Sequence, residues 1–341
     1  MGYLSDGKTS RVQPLPRRKE ADATLSKSAM SLGSFHLTII IPTKDRAQIL
    51  AQLLGSIRKL EAIDRIRPEI IVSDNDSRDN TYEYVNALAR DFPTSIRILR
   101  VSRGGKSAAI NDAVQAARGS VLAFVDDDVV VDEKWLLAIE DYFHSNGRLV
   151  GQGVIRLQSP AQDDPEIQKL IQRYRTVPRL EHSPDLTELH SLNGSNFFVY
   201  RELFDRVGGL DERLGPGASG TSEDVDFAQR LGRCGTVIGY APQAIVYHRV
   251  ERHRLTDEYF RESHLRQGKS RYLIRDRGMA EILFNLGKAF VQYAFFTLLG
   301  RDRKRYRSKG RIFHYLGMME AKQDRHRMPA TARKSSPSIT Y

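Results

Sequence analysis

Asp126, Asp127 and Asp128 stand side by side directly after the apolar run 121–125, VLAFV. Adjacent carboxylates repel one another, so such a run is costly unless water solvates it or a cation sits among the oxygens. Hard oxygen ligands suit Mg²⁺ or Mn²⁺, which commonly bridge carboxylates to phosphates. A solvated acidic loop explains the same residues equally well. A second acidic group, SEDVD at 222–226, falls where a helical pattern begins. Ser222 suits an N-cap, and acids in a first helical turn complement the helix dipole. The alternative makes one of these acids a general base for a hydroxyl group, kept ionised at neutral pH by the dipole. The small-residue loop before it, GPGASG at 215–220, could fold over a substrate or simply connect. His248 ends a strand-like stretch; a lone His is more often structural than a ligand, so its neighbours decide. Lys106 follows Arg103, Gly104 and Gly105 at a strand-to-helix turn, where backbone amides and a cation favour a phosphate. Neither a Walker pattern nor G-x-G-x-x-G is present.

The elements that must position these groups alternate. Residues 37–41 read as a buried strand stopped by Pro42, followed by Ile49, Leu50, Leu53, Leu54 and Ile57 at helical spacing. Residues 69–73 read as a second strand, 81–90 as a helix, 95–101 as a third strand, 106–117 as an Ala-rich helix and 121–125 as a fourth strand. Strand–helix alternation implies right-handed crossovers and a mostly parallel sheet, whose ligands bind outside the carboxyl ends of the strands. Those four ends, 42–46, 74–77, 102–106 and 126–128, are all polar or charged. Beyond residue 149 the pattern is less regular: strand-like pieces at 150–157, 196–200, 237–240 and 244–247, and a helix at 223–233 stopped by Gly235. This half is expected to complete the same domain with strands of mixed direction.

Bulk properties narrow the classes. The chain has 341 residues, 40% of them hydrophobic, enough for a substantial core and against a wholly disordered chain. The net charge of +11 fits nucleic acid, anionic lipid or a phosphorylated substrate. The excess lies near the chain ends, at Arg17, Arg18 and Lys19 and from Arg301 onward, while the middle is nearly balanced. That distribution argues against a nucleic-acid grip. The single cysteine, Cys234, excludes an internal disulfide and a Cys-based zinc site and suits a reducing compartment. The first 35 residues carry no signal-peptide pattern.

Taken in order, several segments resemble family 2 glycosyltransferases of the A-type fold. These are TIIIPTKDR at 38–46, IVSDNDSRDNT at 71–81, GKSAAIN at 105–111, FVDDD at 124–128, GGLDE at 208–212 followed by SEDVD at 222–226, and AIVYH at 244–248. The match covers about residues 38–248. The resemblance implies an α/β, Rossmann-like mixed sheet flanked by helices, over residues 35–250. It implies an inverting enzyme that uses a nucleoside-diphosphate sugar and a divalent metal, Mn²⁺ or Mg²⁺. Pro42, Thr43, Lys44, Arg46 and Asp74 would surround the nucleoside, with Lys106 and Asp127 near the sugar diphosphate. Asp126 and Asp128 would form the D-x-D pair, with His248 a further metal ligand. Asp224 would be the general base, with Glu223 as an acceptor-binding alternative. Ile110 stands where the family often has Arg, and Asp76 replaces a common Gly. The Q-x-x-R-W motif of processive synthases is missing, which favours transfer of a single sugar. An inactive nucleotide-sugar-binding subunit, a basic nucleic-acid-binding protein and a nucleotidyltransferase are the competing readings.

Residues 251–327 read as a basic helical appendage, flanked by an arm at 1–34 and a tail at 328–341, both expected to be disordered. Residues 283–300 are the most apolar stretch, slightly short for a membrane span, with Asn285, Lys288 and Gln292 at i, i+3 and i+7. An amphipathic helix lying on an anionic membrane surface fits, helped by the basic residues that follow at about 1 kcal/mol each. A helix packed on the catalytic domain is the alternative. The expected location is cytoplasmic and peripheral, with a glycan or lipid-linked acceptor.

Overall fold

The structure is a computed structural model that describes residues 35–327; the arm at 1–34 and the tail at 328–341 lie outside the described residues. The chain opens with β1 (Leu37–Thr43), α1 (Ala47–Ile57), the single turn α2 (Ile63–Ile66), β2 (Glu69–Asp74), α3 (Thr81–Leu88), β3 (Ile96–Arg100), α4 (Lys106–Ala116) and β4 (Val121–Phe124). There follow β5 (Val129–Val131), α5 (Trp135–Asn146), β6 (Val150–Leu157), α6 (Pro165–Tyr174), the short β7 (Glu188–Leu189), β8 (Phe197–Tyr200), α7 (Arg201–Val207), α8 (Glu223–Arg233) and β9 (Ile238–His248). A 3₁₀ turn at Arg252–Leu255 leads to three helices, α9 (Asp257–Ile274), α10 (Met279–Leu298) and α11 (Asp302–Arg327).

One sheet runs in the order β3-β2-β1-β4-β8-β6-β9-β5, with β7 on β9. The first four strands are parallel, as their alternation with helices requires. β8 turns antiparallel against β4 and β6, which makes the sheet mixed. Both faces of the parallel half are covered, so its strands read as unbroken apolar runs. Ile39, Ile41, Ile70, Val72 and Val121 are fully buried, and α1 sets Leu50, Leu53, Leu54 and Ile57 against them.

The second half differs in detail from the sequence reading. β5, α5 and α6 carry no signal that was read there. The pieces at 237–240 and 244–247 are one strand, β9. Its pairing with β6 jumps from Gly153↔Ala241 to Val154↔Ile245. The bulge absorbs Pro242, which has no N–H for the ladder. The helical stretch expected at 251–327 is divided into the 3₁₀ turn, α9, α10 and α11.

α9 and α11 meet closely. Gly268 backs onto the His314 carbonyl and Gly317 onto the Leu265 carbonyl, leaving no room for a Cβ at either position. α10 packs Ile282, Leu286 and Ala289 against Ile312, Tyr315 and Met319 of α11. On its opposite side Phe284, Val291 and Leu298 are 73%, 70% and 88% exposed. Among the described residues no helix is long and apolar enough to cross a membrane.

Candidate active site

The carboxyl ends of β1, β2 and β4 bring the polar segments together. Asp74 is fully buried at the end of β2; its Oδ1 accepts from the Ser77 N–H (3.0 Å), while Oδ2 accepts no hydrogen bond. The turn beside it holds Asp76 at φ 58°, a left-handed conformation that suits Gly and that Asp tolerates better than most residues. Pro42 is buried within β1 and Lys44 is exposed just beyond it. Thr43 Oγ1 donates to Asp127 Oδ2 (2.8 Å).

The three adjacent aspartates are neutralised one by one. Lys106, at the start of α4, donates to Asp126 Oδ1, and Ser195 Oγ donates to Asp126 Oδ2 (2.7 Å). Burial opposes ionisation of Asp126, but Lys106 and Ser195 outweigh it and hold its carboxyl below the usual range. Arg46 Nη1 donates to Asp127 Oδ1 (3.0 Å). Burial nevertheless pushes Asp127 up to about 6, with the Asp128 charge adding to the effect. Arg254 Nη2 donates to Asp128 Oδ2 (2.8 Å).

His248, at the end of β9, faces Asp128 with Nε2 3.3 Å from Oδ1. Its Nδ1 lies 2.7 Å from the Arg249 carbonyl oxygen. A carbonyl only accepts, so Nδ1 carries the proton and, in the neutral ring, Nε2 presents a lone pair. Asp128 Oδ1 is buried and accepts no hydrogen bond. A lone pair and a carboxylate oxygen held face to face form a donor set for a divalent cation. The expected trio is divided: Asp128 and His248 face each other, whereas both oxygens of Asp126 are engaged by Lys106 and Ser195. Among the described residues no three acidic or imidazole side chains cluster tightly enough to hold a metal by themselves. Asp128 and His248 therefore fit a cation completed by a ligand's own oxygens, while Asp126 is held by Lys106 and Ser195.

The second acidic group closes the other side. Asp224 Oδ2 accepts from the Gly194 N–H (3.1 Å) and Oδ1 from the Val225 N–H (2.7 Å). Glu223 lies 3.6 Å from Lys106 Nζ. Burial pushes Asp224 upward against Lys106 and the two amides, and it pushes Glu223 up to about 7. Ser222 occupies the N-cap position without capping; it sits at φ 78° and its hydroxyl lies 2.9 Å from Thr221 Oγ1. The loop at 215–220 is fastened to α4: the Lys106 N–H donates to the Pro216 carbonyl (2.8 Å) and Ser107 Oγ to the Leu214 carbonyl (2.8 Å).

Sequence reasoning missed four residues here: Gly194, Ser195, Asn196 and Arg254. The small polar run NGSN at 193–196, just before β8, was the available signal. Asn196 is fully buried, accepts from the Trp135 indole N–H (2.9 Å) and donates to the Val154 and Ala244 carbonyls (both 2.9 Å). It fixes the position of the segment whose next two residues back touch Asp126 and Asp224.

Comparison with known proteins identifies the family and the fold. Residues 38–208 match the profile described as glycosyl transferase family 2. The succinoglycan biosynthesis protein ExoM of Rhizobium meliloti is 26% identical over 70% of this chain and 74% of its own. Glycosyltransferase AglE of Haloferax volcanii is 23% identical over 62% and 66%. Among solved structures, the mannosyltransferase PcManGT of Pyrobaculum calidifontis, in complex with GDP-Man and Mn²⁺, superposes with a TM-score of 0.57 at 16% identity. It covers 90% of this chain and 96% of that one. TarS of S. aureus in complex with UDP-GlcNAc gives 0.52 at 15% identity, covering 85% and 92%. These two superpositions establish the shared fold, and with the family match over half its length the chain belongs to glycosyl transferase family 2.

Proposed function

We propose that this glycosyltransferase moves one sugar from a nucleoside-diphosphate sugar to an acceptor hydroxyl with inversion, acting on a glycan or lipid-linked precursor at an anionic membrane surface. The observation that carries the reading is the facing pair Asp128 Oδ1 and His248 Nε2, 3.3 Å apart, on the same acidic run that Ser195 and Gly194 link to Asp224. Sugar transfer itself follows from the family; the residue roles are the proposal.

Asp128 and His248 would hold a divalent ion, Mn²⁺ or Mg²⁺, which supplies positive charge to the departing diphosphate. Lys106 adds a second positive charge on the diphosphate side, at a helix N-terminus whose amides favour phosphate. Asp74 Oδ2, buried and without a hydrogen bond, suits a donor group of the nucleoside; Pro42, Thr43 and Lys44 line that strand end. Arg46 and Asp127 form an ion pair that orients the acidic run. Asp224 takes the proton as the acceptor oxygen attacks the anomeric carbon. The bond from that carbon to the diphosphate oxygen breaks, and the nucleoside diphosphate leaves. Burial makes Asp224 a stronger base than a free carboxylate, and two backbone amides hold it in place. Glu223, beside Lys106, would bind the acceptor. The exposed apolar side of α10 supports the membrane-surface part of the reading.

A panel of nucleoside diphosphates read by thermal shift tests the donor side. One of them should raise Tm in the presence of Mn²⁺ and lose most of that effect in a chelator. A panel in which none shifts Tm under either condition would overturn the reading.

A further inference from the structure

Away from the sheet's carboxyl edge, a cavity of about 450 Å³ opens between α6, α9 and α11. Arg173, Arg175, Arg307 and Arg311 line it together with His264 and His314, and among the described residues no carboxylate does. Arg173 reaches Asp302 at 3.3 Å, and Arg311 donates to the neutral Gln292 Oε1 (3.0 Å). Arg175 and Arg307 are exposed and enter no ion pair among the described residues. His264 Nδ1 is committed to the Phe260 carbonyl (2.9 Å), whereas His314 Nδ1 is buried without a hydrogen-bond partner. Burial, helped by Arg271, His264 and Arg277, pushes His314 down to about 4, a sign of the positive field there.

Guanidinium groups gathered with an acid at only one of them repel one another, and their planar forks match phosphate oxygens. Two connections give the cavity a direction. Arg311 joins it to Gln292 of α10, the helix whose other side exposes Phe284, Val291 and Leu298. Arg175 precedes Thr176, whose Oγ1 donates to the Arg254 carbonyl (2.5 Å), and Arg254 holds Asp128.

We propose that this cavity binds a phosphate or diphosphate group carried on an apolar chain, the chain lying along the exposed side of α10. The placement of the chain rests on the membrane-surface role given to α10 above; the phosphate site does not. A bilayer phospholipid and a lipid-diphosphate acceptor share this chemistry.

Full-length protein is sedimented with vesicles of uncharged, phosphate-free digalactosyldiacylglycerol doped, at equal surface charge, with oleate, phosphatidic acid or a polyprenyl diphosphate. Binding to one of the two phosphate-bearing vesicles should exceed binding to oleate vesicles by about tenfold. Arg307→Ala with Arg311→Ala should erase that preference. Arg301→Ala with Arg303→Ala, exposed and outside the cavity lining, should weaken binding to all three vesicles alike. A preference for polyprenyl diphosphate assigns the site to an acceptor carrier, and a preference for phosphatidic acid assigns it to the bilayer. Equal binding to oleate and phosphate vesicles, or a preference that survives the double substitution, overturns the proposal. Failure to bind any vesicle removes the membrane role of α10 alone. Inorganic pyrophosphate in EDTA then decides the cavity: a Tm rise that Arg307→Ala with Arg311→Ala abolishes supports it, and no rise overturns it.

Discussion

The sheet edge and the C-terminal helices both concentrate charge, but they treat it in opposite ways. At the sheet edge each carboxylate of the acidic run is met by a cation: Asp126 by Lys106, Asp127 by Arg46, Asp128 by Arg254. In the helical region several arginines meet no acid among the described residues, and large apolar side chains stand in solvent. A buried charge must be paired to be tolerated, whereas an exposed one is solvated cheaply. The first region therefore carries its own counter-charges into the resting state. Among the described residues the second leaves both its charge and its apolar surface uncovered. On the function proposed above, the contrast separates chemistry from attachment, and that separation can be broken by experiment.

The largest effect is expected at the catalytic edge. Asp224→Asn should lower kcat by about a thousandfold. Mn²⁺-dependent binding of nucleoside diphosphate, measured by titration, should stay intact; turnover near the parent rate would remove Asp224 from the base role. Next, Phe284→Glu with Val291→Glu should weaken vesicle binding by about a hundredfold, because two large apolar contacts become charged. Transfer to a water-soluble acceptor should not change, and a parallel loss of both would merge the two regions into one. His248→Ala should weaken metal-dependent nucleotide binding by about thirtyfold, with binding in chelator unaffected. Asn196→Ala removes the hydrogen bonds to the Trp135 indole and to the Val154 and Ala244 carbonyls. It should cost about 2 kcal/mol, read as a lower denaturation midpoint. The smallest effect is on pH. His314 is held near 4 in the folded chain against about 6.5 when unfolded. The unfolded state binds the extra proton first, so stability is full above about 6.5 and declines as pH falls toward about 4. His314→Gln should flatten that part of the profile.

The parallel half of the fold was legible because its strands are buried on both faces and alternate with amphipathic helices. The runs at 37–41, 69–73 and 121–125 became β1, β2 and β4 with small changes at their ends. β5 has three residues, too few to show a period, and Pro242 hid the continuity of β9. In the site, acids beside acids and a Lys at a helix start are local signals. Ser195 and Arg254 are not, because their partners Asp126 and Asp128 lie 69 and 126 positions away. The N-cap reading of Ser222 failed for a related reason. Tertiary contacts of the loop before it set its backbone, and a positive φ took the hydroxyl away from the helix amides.

The close approach at Gly268 and Gly317 has a consequence for acceptor choice. With carbonyl groups filling the space a methyl would need, α9 and α11 cannot slide or roll past each other without breaking contact. On the membrane-surface reading proposed above, so stiff a strut would hold the reactive centre at one altitude, and chemically equivalent hydroxyls on a long glycan would differ only by their height above the lipid.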